Sequence, residues 1–218
     1  MTEVSDSKLI VVGEKCCVVT EVRLTGAVKF CIYFLDDFLV SKASKQVSTS
    51  STIEVGEVAN SQCSQWVKVL GKGNFLSSPS LKSYVDKCLE ATSCHSVVVD
   101  LLDCPAMDST FMGTLAGLAG RLLKRGGELS IVGLSERNRA SLEDLGISEL
   151  MSLEGEDGKS EWQDGIDEIR SGLTPWGENQ NAAAASEVLE AHRQLCEVNP
   201  ANYKKFETVL NVLEKEQS

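Results

Sequence analysis

Residues 96–153 read SVVVDLLDCPAMDSTFMGTLAGLAGRLLKRGGELSIVGLSERNRASLEDLGISELMSL, and the succession of textures in this stretch decides the fold class. It opens on a continuous apolar run through Val97, Val98 and Val99 to Leu102, the mark of a central strand buried on both faces. Asp108 and Ser109 then precede Phe111, Leu115 and Leu118 at helical spacing, which predicts a helix running to about Arg125, stopped by Gly126 and Gly127. ELSIVG (128–133) is a short strand. Ser135 caps a helix, SERNRASLEDLG, that closes at Gly146, and ISELMSL completes the unit near Leu153.

Working outward, TIEVGEV (52–58) alternates, with Ile53 and Val55 on one face. QWVKVLGKG (65–73) repeats the alternation, with Trp66 opposite Val67 and Val69. Ser78 and Pro79 open a helix as N-cap and first helical residue, followed by the apolar stripe Leu81, Tyr84, Val85, Cys88 and Leu89. The order strand, strand, helix, strand, helix, strand, helix predicts an α/β layer over about residues 52–153.

Downstream, residues 154–218 form an acidic helical extension. It begins with an acidic, glycine-containing segment and a short helix around Glu161–Arg170, followed by the loop GLTPWGENQN. Val188, Leu189, His192, Leu195 and Cys196 then form one stripe on a helix over Ala182–Glu197. Asn199 and Pro200 restart the chain as N-cap and first helical residue, and Tyr203, Phe206, Leu210 and Leu213 form the next apolar face. The two helices make an αα-hairpin too small to be stable alone, which must dock on the core, on a second copy or on a partner. Upstream, residues 1–51 hold two apolar runs with strand-like bias and the polar stretch SKASKQVSTSST, a linker; a leader read from an upstream start codon also fits this region.

The 218 residues carry a formal net charge of -11, which disfavours nucleic acid and anionic membrane surfaces as partners. From Met151 onward lie 14 of the 32 acidic residues but only 6 of the 21 basic ones, so the extension carries most of the imbalance. The first apolar run is too short for a signal peptide, and Phe30–Val40, interrupted by Asp36 and Asp37, cannot span a bilayer. The eight cysteines show no CxxC or Cys/His metal spacing, and they read as reduced, mostly buried thiols of a cytoplasmic protein.

From Val55 to Leu153 the chain resembles the STAS domain of bacterial anti-sigma-factor antagonists. The resemblance rests on a buried strand ending D-L, the D-S-T at 108–110, a glycine-punctuated apolar helix and K-R-G-G at 124–127. A strand ending V-G, a Ser-capped helix and the L-G-I at 145–147 complete it. It implies a STAS-like mixed β-sheet with helices packed on one side, to which the C-terminal αα-hairpin is added. It further implies that Ser109 is a phospho-acceptor (Thr110 the second choice) and that Ala106, Met107, Asp108, Ser109, Thr110, Met112 and Gly113 meet a partner. That partner would be a serine-kinase anti-sigma factor, released by phosphorylation and rebound after a PP2C-type phosphatase acts, in a partner switch controlling transcription. The alternative is a STAS interaction scaffold without switching. The chain departs from the family pattern G-[L/V/M]-G in carrying Phe111-Met112-Gly113, and Phe111 reads as a core residue, an interface anchor or a sign that phosphorylation has been lost.

The residues themselves suit a switch. A serine at a helix start sits beside unpaired backbone N–H groups and the positive end of the helix dipole. Phosphate would add a charge of about −1.5 to −2 there, tolerated by the helix end yet expelled from a packed interface. Asp108 or Ser109 also reads simply as a helix N-cap. Gly113, Gly117 and Gly120 each weaken a helix by about 0.8–1 kcal/mol relative to alanine, so another backbone should approach closely, from the sheet beneath or from a partner helix. No cofactor or metal is implied, and no enzyme. His95 sits in a turn, His192 reads as a packing residue, and Ser109 has no histidine or lysine partner evident in the sequence.

Overall fold

A computed structural model describes residues 4–12, 15–24, 27–35, 51–58, 64–90, 94–154, 162, 165–177 and 181–216. The chain divides into two compact units, Met1–Val47 and Ser48–Ser218. The first holds an antiparallel three-stranded sheet of β1 (Val4–Val12), β2 (Lys15–Leu24) and β3 (Ala27–Leu35). The strand-like bias of its apolar runs is expressed as these strands. The polar linker around residues 41–50 lies outside the described residues.

The second unit is built on a six-stranded mixed sheet. Antiparallel β4 (Thr52–Val58) and β5 (Ser64–Leu70) lead into β6 (Ser96–Asp100), β7 (Glu128–Val132) and β8 (Ser152–Leu153), all parallel to β5. A two-residue strand, β9 (Thr174–Pro175), pairs with β4 at the far edge. Parallel neighbours require crossovers, and three helices supply them. They are α1 (Ser78–Glu90), α2 (Ser109–Leu123) and α3 (Glu136–Asp144). Every residue of β6 is buried, the run Val97–Val99 as its apolar character demands and the polar Ser96 and Asp100 with it. Ser135 caps α3, its Oγ accepting the N–H of Asn138 at 3.2 Å. This is the mixed-sheet α/β arrangement expected from residues 52–153.

The described residues beyond Leu153 belong to the same compact unit. Trp66, Val98 and Val132, from three adjacent strands, form a cluster of their own covered by Trp162, Ile166, Ile169 and Leu173. The helix that supplies this cover, α4 (Ile166–Ser171), is shorter than the span 161–170 read from the sequence; residue 161 is outside the described residues. Arg170 of α4 donates from Nε and Nη2 to the two carboxylate oxygens of Asp100, at 2.6 and 3.1 Å, at the end of the central strand. Asp100 is fully buried and also accepts the N–H of Leu102.

The hairpin consists of α5 (Ala185–Val198) and α6 (Asn202–Glu216). Pro200 is not the first helical residue of α6. It lies in a turn in which Asn199 Oδ1 accepts the N–H of Ala201, and α6 begins two residues beyond Pro200. Of the docking alternatives, the structure shows the core of the same chain. Asn202 donates to the Leu145 carbonyl at 2.9 Å, Lys205 pairs with Asp144, and the Ala183 N–H reaches the Phe75 carbonyl. Leu189, Leu195, Cys196 and Phe206 are buried by this docking. Of the cysteines with described side chains, Cys94, Cys104 and Cys196 are buried and Cys88 half-buried, all free. No described helix is long and apolar enough to cross a membrane.

Candidate functional site

The loop before α2 is fixed by its neighbour before α1. Gly73 N–H donates to the Ala106 carbonyl, and Asp108 N–H donates back to the Gly73 carbonyl, at 3.0 and 2.9 Å. Gly73 is required by the residue that departs from the family pattern: the ring of Phe111 lies where a side chain at 73 would be, 2.7 Å from an ideal Cβ. Phe111 is therefore a core residue, fully buried with Leu115, and its ring points inward, away from the face that Ser109 occupies.

Asp108 is the N-cap of α2. Its Oδ1 accepts the N–H of Phe111 at 2.8 Å and its Oδ2 that of Phe75 at 3.1 Å, so one carboxylate ties the start of α2 to the start of α1. Burial pushes this carboxyl up to about 6, against the pull of the N–H groups it accepts. With Asp108 in the cap, Ser109 is the first helical residue and its hydroxyl is free for another partner.

That partner is His192 of α5. Ser109 Oγ lies 2.9 Å from His192 Nε2, and His192 Nδ1 lies 2.7 Å from the Val188 carbonyl one turn back. A carbonyl only accepts, so Nδ1 carries the hydrogen and Nε2 is left to accept from the Ser109 hydroxyl. His192 is 3% exposed, and burial holds its imidazole below the ordinary range, hence neutral at pH 7. Phe206 of α6 packs edge-on against the ring at 4.9 Å. His192 is thus more than the packing residue read from its stripe. A helical hydrophobic pattern records which face is buried, not what a polar ring on that face will meet 83 residues away.

The interior glycines have a related explanation. An ideal Cβ on Gly113 would fall inside contact distance of the Ala191 carbonyl oxygen and 2.6 Å from its carbon. At Gly117 the neighbour is the Gln194 side chain, at 3.5 Å, and at Gly120 nothing comes within 4 Å. The backbone that approaches is neither the sheet nor a partner but the chain's own α5, and it reaches only Gly113. Beyond that contact α1, α2 and α5 diverge around a groove of about 340 Å³, rimmed by Lys82 and Arg121 on one side and Glu187 and Glu190 on the other. Lys82 and Arg121 are both paired with Asp86.

The residues read as a partner face are brought together. Ala106, Met107, Asp108 and Ser109 are half-exposed, whereas Thr110, Met112 and Gly113 are buried, with Gly113 directly beneath α5. His95 is exposed in the connection just before β6. Among the described residues, no group of three or more His, Cys, Asp or Glu side chains gathers to hold a metal. Chemically, the site offers a serine hydroxyl beside a helix N-terminus, hydrogen-bonded to a neutral imidazole of fixed tautomer.

Residues 66–157 match the family model of the STAS domain. Three solved structures are similar to this chain. One is the anti-sigma factor antagonist SpoIIAA in its unphosphorylated form: 12% identity over 53% of this chain and 97% of that one, TM-score 0.40. A second is the Bacillus cell fate determinant SpoIIAA in its phosphorylated form: 14% identity over 53% and 99%, TM-score 0.39. The third is a putative anti-sigma factor antagonist from Thermotoga maritima: 15% identity over 53% and 94%, TM-score 0.41. No curated protein sequence matches the chain.

Proposed function

We propose that this protein is an anti-sigma-factor-antagonist-like regulator, a binding switch rather than an enzyme, acting in the cytoplasm. Its partner would be a serine-kinase anti-sigma factor, met through the face around the start of α2. Phosphorylation of Ser109 would end that binding, and a PP2C-type phosphatase would restore it. The observation that carries this reading is the position of Ser109 within a STAS domain. It is the first residue of α2, freed from capping by Asp108, with Phe111 turned inward and out of a kinase's approach. Phosphate at that position meets the helix N-terminus, so the domain should keep its fold.

A second reading, a STAS scaffold without phospho-switching, is favoured by one feature. Ser109 Oγ is already engaged by a buried histidine of the chain's own tail. The two are separated by the intact mass of the protein and of Ser109→Ala, isolated from the native host during growth and under stress. A species heavier by one phosphate, missing in Ser109→Ala, is the expected result; its absence under every condition leaves the scaffold.

A further inference from the structure

The face around Ser109 is occupied in cis. Helix α5 lies along α2 with Ala191 against Gly113, places His192 on Ser109, and carries Leu189, Leu195 and Cys196 into the protein. Asn202 and Lys205 anchor the other arm on the turn after α3, at Leu145 and Asp144.

With the Ser109 hydroxyl directed at His192, this packing leaves no room for a phosphoryl group between the two. The 2.9 Å between Ser109 Oγ and His192 Nε2 is one hydrogen bond long, and no heavy atom fits within it. The ring cannot simply step back, because its Nδ1 is held by Val188 and its edge by Phe206. Nor can α5 slide along α2, since Ala191 sits in a notch that exists only because residue 113 lacks a Cβ. Electrostatics act in the same direction. A group of about −2 charge would meet a neutral imidazole, with Glu187 and Glu190 of α5 along the adjoining groove. The cations lining that groove do not offset this at Ser109: Lys82 and Arg121 are each already paired with Asp86, and Lys124 lies past the far end of the helix, about 22 Å away at 1.5 Å per residue.

We propose that the α5–α6 hairpin is an intramolecular occupant of the Ser109 face and that a phosphoryl group on Ser109 displaces it. Phosphorylation then delivers to partners a released amphipathic segment, which re-forms its helices on docking, in addition to altering the face itself. This rests on the reading of Ser109 as phospho-acceptor. The group would come from ATP, an O–P bond forming at Oγ as ADP leaves and the hydroxyl proton passes to solvent. Releasing the hairpin exposes the stripe of Leu189, Leu195 and Cys196 with Phe206 and Leu210 of α6. The kind of partner it fits is a protein with an apolar helix-binding groove.

The test uses the full chain with phosphoserine installed at position 109 during synthesis, so that it does not depend on any kinase acting in the cell. Cys196, 1% exposed on the buried face of α5, reports release, and Cys104, 2% exposed in the loop before α2, reports integrity of the domain. Both are followed by N-ethylmaleimide labelling and mass spectrometry, together with deuterium uptake over residues 185–216. Gly113→Ala provides a release without charge. Expected is labelling of Cys196 at least tenfold faster in the phosphoserine protein and in Gly113→Ala, with Cys104 still protected. Unchanged or slower labelling of Cys196 in the phosphoserine protein overturns the proposal, the slower case meaning that phosphate draws a proton onto His192 and tightens the contact. Labelling of Cys104 as well also overturns it, since phosphate would then open the domain rather than its cover. Absence of phosphate in the native host would sink the phospho-switch alone and is read separately, by intact mass.

Discussion

Arg170→Met should destabilise the protein far more than loss of a surface ion pair. Asp100 ends the central strand with no exposed surface, and two of its hydrogen bonds come from the Arg170 guanidinium, itself only 16% exposed. Removing the arginine leaves a carboxylate in the interior with the Leu102 N–H as its remaining partner among these contacts. Breaking one side of a buried pair costs about 3–5 kcal/mol, against about 0.2–1 kcal/mol for an exposed pair. At about 2–4 °C per kcal/mol for a chain of this size, the midpoint should fall by roughly 6–20 °C. Urea unfolding followed by tryptophan fluorescence suits the case, because Trp66 and Trp162 pack edge to face at 5.3 Å in the cluster that α4 covers. Adding Asp100→Asn to Arg170→Met should restore most of the loss, since the neutral amide can still accept from Leu102 without a buried charge. A cost below about 1 kcal/mol for Arg170→Met, or no recovery in the double variant, would refute the claim that α4 completes the domain through this pair.

Gly113→Ala sets two effects of opposite sign against each other. Helix propensity favours alanine by about 1 kcal/mol, whereas overlap with the Ala191 backbone costs about 1–3 kcal/mol or more, so net destabilisation is expected in thermal unfolding and a gain in stability would contradict the α2–α5 packing. Hairpin docking should weaken on acidification. Released His192 takes up a proton from about pH 6.5 downward while the docked ring, held lower by burial, does not, so docking is full above 6.5 and is lost as pH falls below it. His192→Gln should abolish this dependence in deuterium exchange between pH 7.5 and 5.5; an equal pH response in both proteins would assign it elsewhere. Asp108 acts in the opposite sense: with its folded value near 6 against 3.8 unfolded, it contributes stability that is lost as pH rises through that window. Asp108→Asn should therefore flatten the global stability profile between pH 4 and 6 when measured by urea titration.

The sheet was legible because its information is local. The three consecutive valines of β6, the alternation of β4 and β5, and the caps at Asp108 and Ser135 are each contained within a few residues. The helical spacing of Phe111 allowed a core ring among other readings, and the space that the ring fills is provided by Gly73, 38 positions upstream. The contacts that define the site are of another kind. Ser109 with His192 spans 83 positions and Asp100 with Arg170 spans 70, and neither partner carries a signal in its own neighbourhood. An arginine among acidic residues reads as a solvated charge, and a histidine on an apolar stripe reads as packing.

One sequence signal did point at the long-range contact, and its meaning was open. Glycine within α2 implied a close neighbour but could not say which. The structure assigns that neighbour to one position: Gly113 faces Ala191, while Gly120 faces open space. A helix that gives up about 1 kcal/mol at residue 113 to admit a backbone, and that places a histidine on the adjacent serine, treats α5 as part of its surface. The same residues read in the sequence as a face for a partner. Both readings hold together if the face binds helices in general and the chain carries one of its own. In the unphosphorylated protein a partner must then compete with α5 for Gly113, and its apparent affinity should rise in proportion to the fraction of molecules in which the hairpin is released without phosphate, as in Gly113→Ala.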